Sequence, residues 1–209
     1  TGLEGLMELA RVSKIPVQRT ARTSTGTCIT NMQLERAVRD GILIPWRKRR
    51  PEEFKTGLEL LTTDKGGLTY QPVLGVHENV AEIDFSSMYP TIMATYNVSP
   101  ETVGCACCTN LVPEIGCSIC QKREGLVSKT LRPILDKRAR YKELMKKARS
   151  QEEREVYDSR QSALKWMLVT CFGYLGYKNA RFGKIEAHEA VTAYGREKLL
   201  QAKEVAEAR

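Results

Sequence analysis

Apolar residues recur at helical spacing in several parts of the chain. Close to the N-terminus they predict a helix that ends at Ile15-Pro16, and a second helix is predicted over 31–40, closed by Gly41 at a C-cap position. A longer helix is predicted over 126–149. Its apolar stripe consists of Leu131, Ile134, Leu135, Tyr141, Met145 and Ala148. A polar break follows, and a further helix is predicted to run to about Phe172.

One short strand is predicted among these helices, over 79–84, and it ends in Asp84. The next residues should turn sharply into a helix over 89–96, because Pro90 suits the first turn of a helix. A carboxylate beside the free amides of a helix N-terminus can hold a metal ion and a polyphosphate together. The alternative is an ordinary strand–turn–helix in which Asp84 only caps the helix.

Length and composition indicate one or two globular domains. The chain has 209 residues, 42% of them hydrophobic, with a mean hydropathy of −0.37. No apolar stretch approaches the roughly 18–20 residues of a membrane span, and no targeting signal opens the chain. Because it begins at Thr1 in mid-pattern, we expect an excised or processed piece of a longer protein.

The charge distribution indicates a polyanionic partner. The net charge is +8 and the pI is near 9.2, and residues 122–165 alone hold 14 Lys/Arg against 7 Asp/Glu. Arg138 and Lys142 share a helix face, and Lys165 lies on the following helix. Two antiparallel helices with inward-facing cations can bind a triphosphate. A solvated basic surface, or a plain helical hairpin, is the alternative.

Five of the seven cysteines lie within sixteen residues: Cys105, Cys107, Cys108, Cys117 and Cys120. Four of these five could supply thiolates to a tetrahedral Zn²⁺ ion or to an Fe–S cluster. Reduced thiols, or a single disulfide, remain the alternatives.

The segment from Asp84 to Pro90, which continues into 97–102, resembles the first palm motif of family B DNA polymerases. The resemblance implies that Asp84 is catalytic and binds Mg²⁺, with the backbone of Phe85 as a further Mg²⁺ ligand. It also implies that Tyr89 stacks under the sugar and excludes a 2′-OH. The nucleotide-binding residues that it implies are Phe85, Ser86, Ser87, Met88, Tyr89, Arg138, Lys142 and Lys165.

Other stretches extend this resemblance over essentially the whole chain. Residues 160–165 resemble the second fingers helix, but Val169 and Phe172 stand where the family has Asn and Tyr, which affects the expected accuracy of insertion. Asp64 replaces a Tyr of the family ahead of a Gly-Gly turn. The implied template- and primer-binding residues are Gly66, Gly67, Val169, Phe172, Gly173 and Tyr174. Residues 112–120 resemble a region that carries a disulfide in hyperthermophilic archaeal polymerases.

The departures at Asp64, Val169 and Phe172, together with the Cys cluster, make the chain most similar to the divergent second group of archaeal family B polymerases. The fold implied is α+β, an antiparallel palm sheet with flanking helices plus a two-helix antiparallel fingers hairpin. We expect residues 1–50 to be the lead-in between exonuclease and palm, 51–121 the first part of the palm, 122–172 the fingers, and 173–209 a truncated continuation of the palm. The Cys-rich segment, 105–120, belongs to the first palm part.

The resemblance implies a template-directed DNA polymerase that uses Mg²⁺, dNTP and primer–template DNA. We expect this piece alone to be inactive, because the second metal-binding carboxylate of the family would follow Arg209. The missing remainder of the polymerase and a sliding clamp are the further expected partners, at a cytoplasmic, nucleoid-associated location without a membrane. One alternative is an inactive paralogue that serves as a DNA-binding replisome component. A Cys-rich zinc module that binds nucleic acid is the other.

Overall fold

A computed structural model describes residues 2–46, 55–63 and 65–208. Two features of the sequence lie outside these residues: the basic run Arg47-Lys48-Arg49-Arg50-Pro51, which is expected to be a solvated linker, and Asp64, which stands where the family has a Tyr. The described residues form eight helices: α1 (Leu3–Ser13), α2 (Val17–Thr20), α3 (Thr25–Arg39), α4 (Gly57–Thr63), α5 (Met88–Thr95), α6 (Leu126–Lys147), α7 (Gln151–Gly176) and α8 (Ile185–Glu207).

Helix α7 lies at the centre of the structure, because it packs against α1, α3, α5, α6 and α8. Its buried side chains recur four residues apart, and Leu164, Met167 and Leu168 are fully enclosed. Burying a side chain of this size contributes about 1.5–3 kcal/mol relative to leaving it exposed. These three residues therefore hold the surrounding helices on a common core.

Helices α6 and α7 correspond to the two helices predicted over 126–149 and up to about Phe172, and they pack against each other. Helix α7 begins at a serine N-cap, since Ser150 Oγ accepts a hydrogen bond from the N–H of Glu153 at 3.1 Å. It then continues beyond Phe172 to Gly176. The predicted C-cap at Gly41 also occurs, with a φ of +67° that suits glycine.

The predicted antiparallel palm sheet is wrong for the described residues, which contain no strand. They contain two isolated β-bridges, between Val103 and Ile119 and between Leu111 and Ser118. The expected strand over 79–84 has no regular secondary structure: Asn79 has a φ of +58°, and the segment is exposed, with Val80 at 75% and Ile83 at 80% exposure. A strand needs a second strand to pair its N–H and C=O groups, and none is present in this part of the structure. The predicted domain boundaries are not tested and stay predictions.

Candidate functional site

The predicted catalytic carboxylate lies just before the turn that starts α5. Asp84 and Phe85 are exposed, and Ser86 and Ser87 form the turn. Ser87 adopts a left-handed conformation, with φ 55° and ψ 45°, directly before the first helical residue. This conformation redirects the chain, and both serine hydroxyls contact cations of α6.

Arg138 of α6 is buried against this turn. Its Nη1 donates a hydrogen bond to Ser87 Oγ, while its Nε is buried without a hydrogen-bond partner among the described residues. Burial lowers the pKa of Arg138 from its usual value, since a charged group is disfavoured where water is excluded. A buried guanidinium with an unpaired donor favours the approach of an anion.

Lys142 lies one helical turn further along α6, and its Nζ donates to Ser86 Oγ at 3.3 Å. Burial lowers the pKa of Lys142, and the positive charges of Arg138 and Lys165 lower it further, whereas Asp84 acts in the opposite direction. Lys165 is exposed and comes from α7. The three predicted cations and the predicted carboxylate therefore lie close enough for the charges of Arg138, Lys165 and Asp84 to act on Lys142.

An open cleft of about 340 Å³ lies beside these cations, between α5 and α6. It is lined by residues of the turn and of both helices, among them Ser86, Ser87, Thr91, Arg132, Arg138 and Lys142.

The ring of Tyr89 contacts the ring of Phe172, which in turn stacks on the ring of His188. The Tyr89 centroid lies 4.4 Å from that of Phe172, and the Phe172 ring lies 4.1 Å from that of His188 on α8. A Cβ atom at Gly195 would lie 2.9 Å from Tyr89 Cε1, so only glycine allows α8 this close to the ring. Tyr89 and Phe172 were predicted to contact different ligands, yet they touch each other. Sequence reasoning missed His188, for which no pattern gave a signal.

Four predicted template- or primer-binding residues line a second cavity, of about 790 Å³: Val169, Phe172, Gly173 and Tyr174. Its other wall comes from the start of α3, including Ser24, Gly26, Thr27 and Thr30. The Tyr174 hydroxyl hydrogen-bonds to Thr30 across this cavity. Sequence reasoning missed the α3 wall, whose only signal was a stretch rich in Thr, Ser and Gly.

The Gly66-Gly67 turn lies beside Tyr89 instead, because a Cβ atom at Gly67 would lie 3.7 Å from the Tyr89 hydroxyl. Gly66 has a φ of +63°, and its carbonyl accepts a hydrogen bond from Nη1 of the buried Arg196 at 2.6 Å. Arg196 also donates to Glu114 at 3.0 Å, and this hydrogen bond lowers the pKa of that carboxyl. Arg196 of α8 thus connects the turn to the loop that follows α5.

The cysteine cluster contains four of the five candidates. The sulfur atoms of Cys105, Cys107, Cys108 and Cys120 all lie within 4.8 Å of one another. Cys117 lies outside this group, half-buried, and burial raises the pKa of its thiol. All of the cysteines are free thiols, so no disulfide forms among the described residues.

Hydrogen bonds within and around the cluster shift the thiol pKa values in opposite directions. The backbone N–H groups of Lys122 and Arg123 lower the pKa of Cys120 to about 7, because they stabilise a thiolate. Hydrogen bonds with Cys108 and Cys120 raise the pKa of Cys107 to about 12. Four sulfur atoms in this arrangement could bind a metal ion.

The N-terminus of α6 is held by two side chains to which sequence analysis gave no structural role. Ser99 Oγ accepts a hydrogen bond from the N–H of Val127 at 3.1 Å, and Glu101 accepts one from Leu126 at 2.5 Å. These contacts satisfy backbone donors that an α-helix leaves unpaired at its start.

None of the helices in the described part of the chain has the length and apolar composition that a membrane span requires.

Comparison with known proteins finds similarity to DNA polymerases over almost the whole chain. The family described as DNA polymerase family B matches residues 15–209. "DNA polymerase 2" of Saccharolobus solfataricus is 35% identical over 204 residues, which are 98% of this chain and 30% of that protein. "DNA polymerase 1" of Pyrococcus abyssi is 33% identical over 192 residues, or 91% of this chain and 24% of that protein.

A solved structure agrees with these relatives. The family B DNA polymerase from the hyperthermophilic archaeon Pyrobaculum calidifontis superimposes with a TM-score of 0.74 at 34% identity, covering 99% of this chain and 27% of the other. The chain thus spans less than a third of the length of each of these proteins. Since the family match extends over almost all of its residues, the chain belongs to family B of the DNA polymerases.

Proposed function

We propose that this chain forms the nucleotide-binding part of the palm and fingers of a template-directed DNA polymerase. The reaction is transfer of a nucleotide from a dNTP to a primer 3′-OH. The observation that carries this proposal is the convergence of Arg138, Lys142 and Lys165, from two helices, beside Asp84 and the turn that follows it.

The triphosphate is the ligand that best matches these three cations. Its charged oxygens accept charge-assisted hydrogen bonds, and Arg138 has a buried N–H with no partner in the described structure. The serine hydroxyls at 86 and 87, which now accept hydrogen bonds from the cations, would be replaced as acceptors by phosphate oxygens. Besides burial, repulsion by neighbouring cations lowers the pKa of Lys142, and binding of an anion would relieve this repulsion.

Asp84 and the backbone carbonyl of Phe85 would hold Mg²⁺. An exposed carboxylate next to the cationic site fits this ion, which proteins bind through one or two carboxylates together with substrate phosphates. When bound, the metal ion neutralises charge on the phosphate oxygens during transfer. The cysteine cluster is the candidate site for a second cofactor, Zn²⁺ or an Fe–S cluster.

Tyr89 would exclude a ribose 2′-OH by its fixed position. Contact with the tilted Phe172 ring and close packing against Gly195 restrict movement of the Tyr89 ring, so it cannot easily move aside for an additional oxygen. The backbone and side chains from Phe85 to Met88 would contact the same nucleotide.

Primer–template DNA would bind along the cavity between α3 and α7 and at the Gly66-Gly67 turn. The excess of Lys and Arg in 122–165 favours this polyanionic partner. The remainder of the polymerase would complete the palm. A DNA-bound enzyme of this kind would act at the nucleoid in the cytoplasm, and a sliding clamp would be a further partner.

Nucleotide binding by the chain itself tests the proposal. Trp166 is 66% exposed and adjacent to Lys165, so its fluorescence should respond to dATP and Mg²⁺. Lys165→Ala should weaken dATP binding by about tenfold or more, because a hydrogen bond to a charged group contributes about 1.5–3 kcal/mol and 1.4 kcal/mol equals one decade. Asp84→Asn should remove the dependence of binding on Mg²⁺.

Arg154→Ala is the matched control. It removes a positive charge from an exposed position of the same helix, about 16 Å from Lys165 along the axis. Its dATP affinity should stay within about twofold of the original. If both variants bind dATP equally weakly, the loss reflects the overall positive charge of the helix and not a specific contact of Lys165. Tight primer–template binding without any dATP binding would instead support the inactive paralogue.

A further inference from the structure

The distances within the cysteine cluster match those around a single tetrahedral metal ion. Four sulfurs bound to Zn²⁺ at about 2.3 Å lie about 3.8 Å from one another. Here Cys107 Sγ lies 3.7 Å from Cys108 Sγ and 3.8 Å from Cys120 Sγ, and all pairs, including those with Cys105, lie within 4.8 Å. The sulfurs therefore need to move by no more than about 1 Å to complete the coordination.

The same sulfur–sulfur distances disfavour the two other predicted states of the cluster, a disulfide and an Fe–S cluster. A disulfide requires sulfurs at about 2.05 Å, whereas Cys107 has two neighbours at almost equal and much longer distances. An Fe–S cluster places two or four irons between its cysteines, and each cysteine then binds a different side of the cluster or a different iron. Some sulfur pairs must then be much farther apart than the pairs in this group.

Positive groups surround the four sulfurs. Lys122, Arg123 and Lys184 line the same open cavity as Cys105, Cys107 and Cys120. Four thiolates with one Zn²⁺ carry a net charge of −2, which nearby cations offset. The backbone N–H of Gln121 donates to Cys108 Sγ at 3.3 Å, and such outer hydrogen bonds orient metal-binding thiolates.

We infer that Cys105, Cys107, Cys108 and Cys120 form a mononuclear tetrathiolate zinc site, and that Cys117 is not a ligand. The site is structural, because all four coordination positions are taken by protein. It does not depend on the proposed nucleotide chemistry, since none of its ligands belongs to the Asp84 site.

The position of the site indicates what the zinc stabilises. It joins the loop at 105–108 to Cys120, which lies six residues before α6. Asn97 Nδ2 donates to the carbonyls of Cys120 and Arg123, each at 2.8 Å, and Asn97 Oδ1 accepts from the N–H of Gly125 at 2.7 Å. The metal ion would therefore fix the entry to α6, the helix that carries two of the three cations.

Metal analysis of the purified full chain tests the composition of the site. We expect one zinc per chain, no acid-labile sulfide, and retention of the zinc in Cys117→Ser. Cys107→Ser should lose it. Replacement by Co²⁺ should give the visible absorption of a tetrahedral tetrathiolate. Iron with inorganic sulfide, or a metal-free protein with a Cys107–Cys120 crosslink found by mass spectrometry, would overturn the inference.

Hydrogen exchange tests the structural role without any variant. Removing the metal from the original protein with a chelator should accelerate amide exchange in the first turns of α6 by tenfold or more, with little change in α8. Zinc added back should restore the protection. Unchanged exchange in α6 after complete zinc removal would refute this role. Neither measurement uses nucleotide, so failure of the polymerase proposal would leave both results interpretable.

Discussion

Replacing Gly125 with alanine should weaken the junction at which α6 begins. Gly125 is the N-cap residue, with φ −75° and ψ 153°, so its backbone conformation is open to alanine. The obstacle is steric. An added Cβ would lie 2.4 Å from Ser99 Cβ, and 3.0 Å from both Ser99 Oγ and Thr102 Cγ2. Ser99 is fully buried, so it has no free space in which to move.

The expected cost follows from three contributions. Overpacking a well-filled site costs about 1–3 kcal/mol. Displacing Ser99 also strains its hydrogen bond to the N–H of Val127, and loss of a helix cap costs about 0.5–2 kcal/mol. Against this, alanine reduces the entropy of the unfolded chain and returns about 0.4–1 kcal/mol. Taken at their midpoints, these contributions give a net loss of about 2.5 kcal/mol in the free energy of unfolding.

Thermal unfolding followed by circular dichroism measures this loss. A chain of this size should lose roughly 5–10 °C in Tm, at about 2–4 °C per kcal/mol. Gly173→Ala is the control, because its Cβ would meet nothing within 4 Å inside α7. That variant should gain about 0.5–1 kcal/mol, the helix preference of alanine over glycine. A Gly125→Ala protein as stable as the original would refute the steric argument.

Two further predictions concern Tyr89 and Glu114. Tyr89→Ala should reduce the preference for binding dATP over ATP by about tenfold, which is the scale of one lost steric contact in a pocket. Tyr89→Phe should keep the preference. Equal preferences in the two variants and the unmodified protein would mean that the ring serves only in packing. The hydrogen bond to Arg196 is the main reason why the pKa of Glu114 is lowered in the folded protein. The carboxylate therefore stabilises the fold at pH values above its unfolded pKa of 4.5. This contribution is lost as the pH falls through the lower pKa of the folded state. Urea unfolding should therefore show a smaller loss of stability between neutral and acidic pH for Glu114→Gln than for the original, and identical pH profiles would contradict this.

The helices could be predicted from sequence because their stabilising pattern is local. The apolar stripe over 126–149 corresponds to α6, which runs from Leu126 to Lys147. The strand over 79–84 could not be judged in the same way, because a strand depends on a partner that local pattern does not reveal. Its apolar residues are exposed in the described structure.

Sequence could name candidate residues for the site but not the contacts between them. Sequence patterns and family resemblance identified Arg138, Lys142 and Lys165, which the structure brings together, although their roles stay predictions. The same patterns could not choose four cysteines among five, since that choice depends on where the chain folds back. The caps that Ser99 and Glu101 provide for α6 act across 25 or more residues of sequence, beyond the range of any local motif.

Because α7 is one continuous helix, a small rotation at its C-terminal end would move its distant residues by several ångströms. Its 26 residues extend about 39 Å, and no proline interrupts them between Gln151 and Gly176. Lys165 lies about 16 Å from the Gly176 end, so a rotation of about 10° there would move this residue by about 3 Å and the far tip by about 7 Å. The smaller displacement is comparable to the length of a hydrogen bond. Slight repacking at the base of this helix would therefore be enough to make or break the contact of Lys165 with a phosphate oxygen.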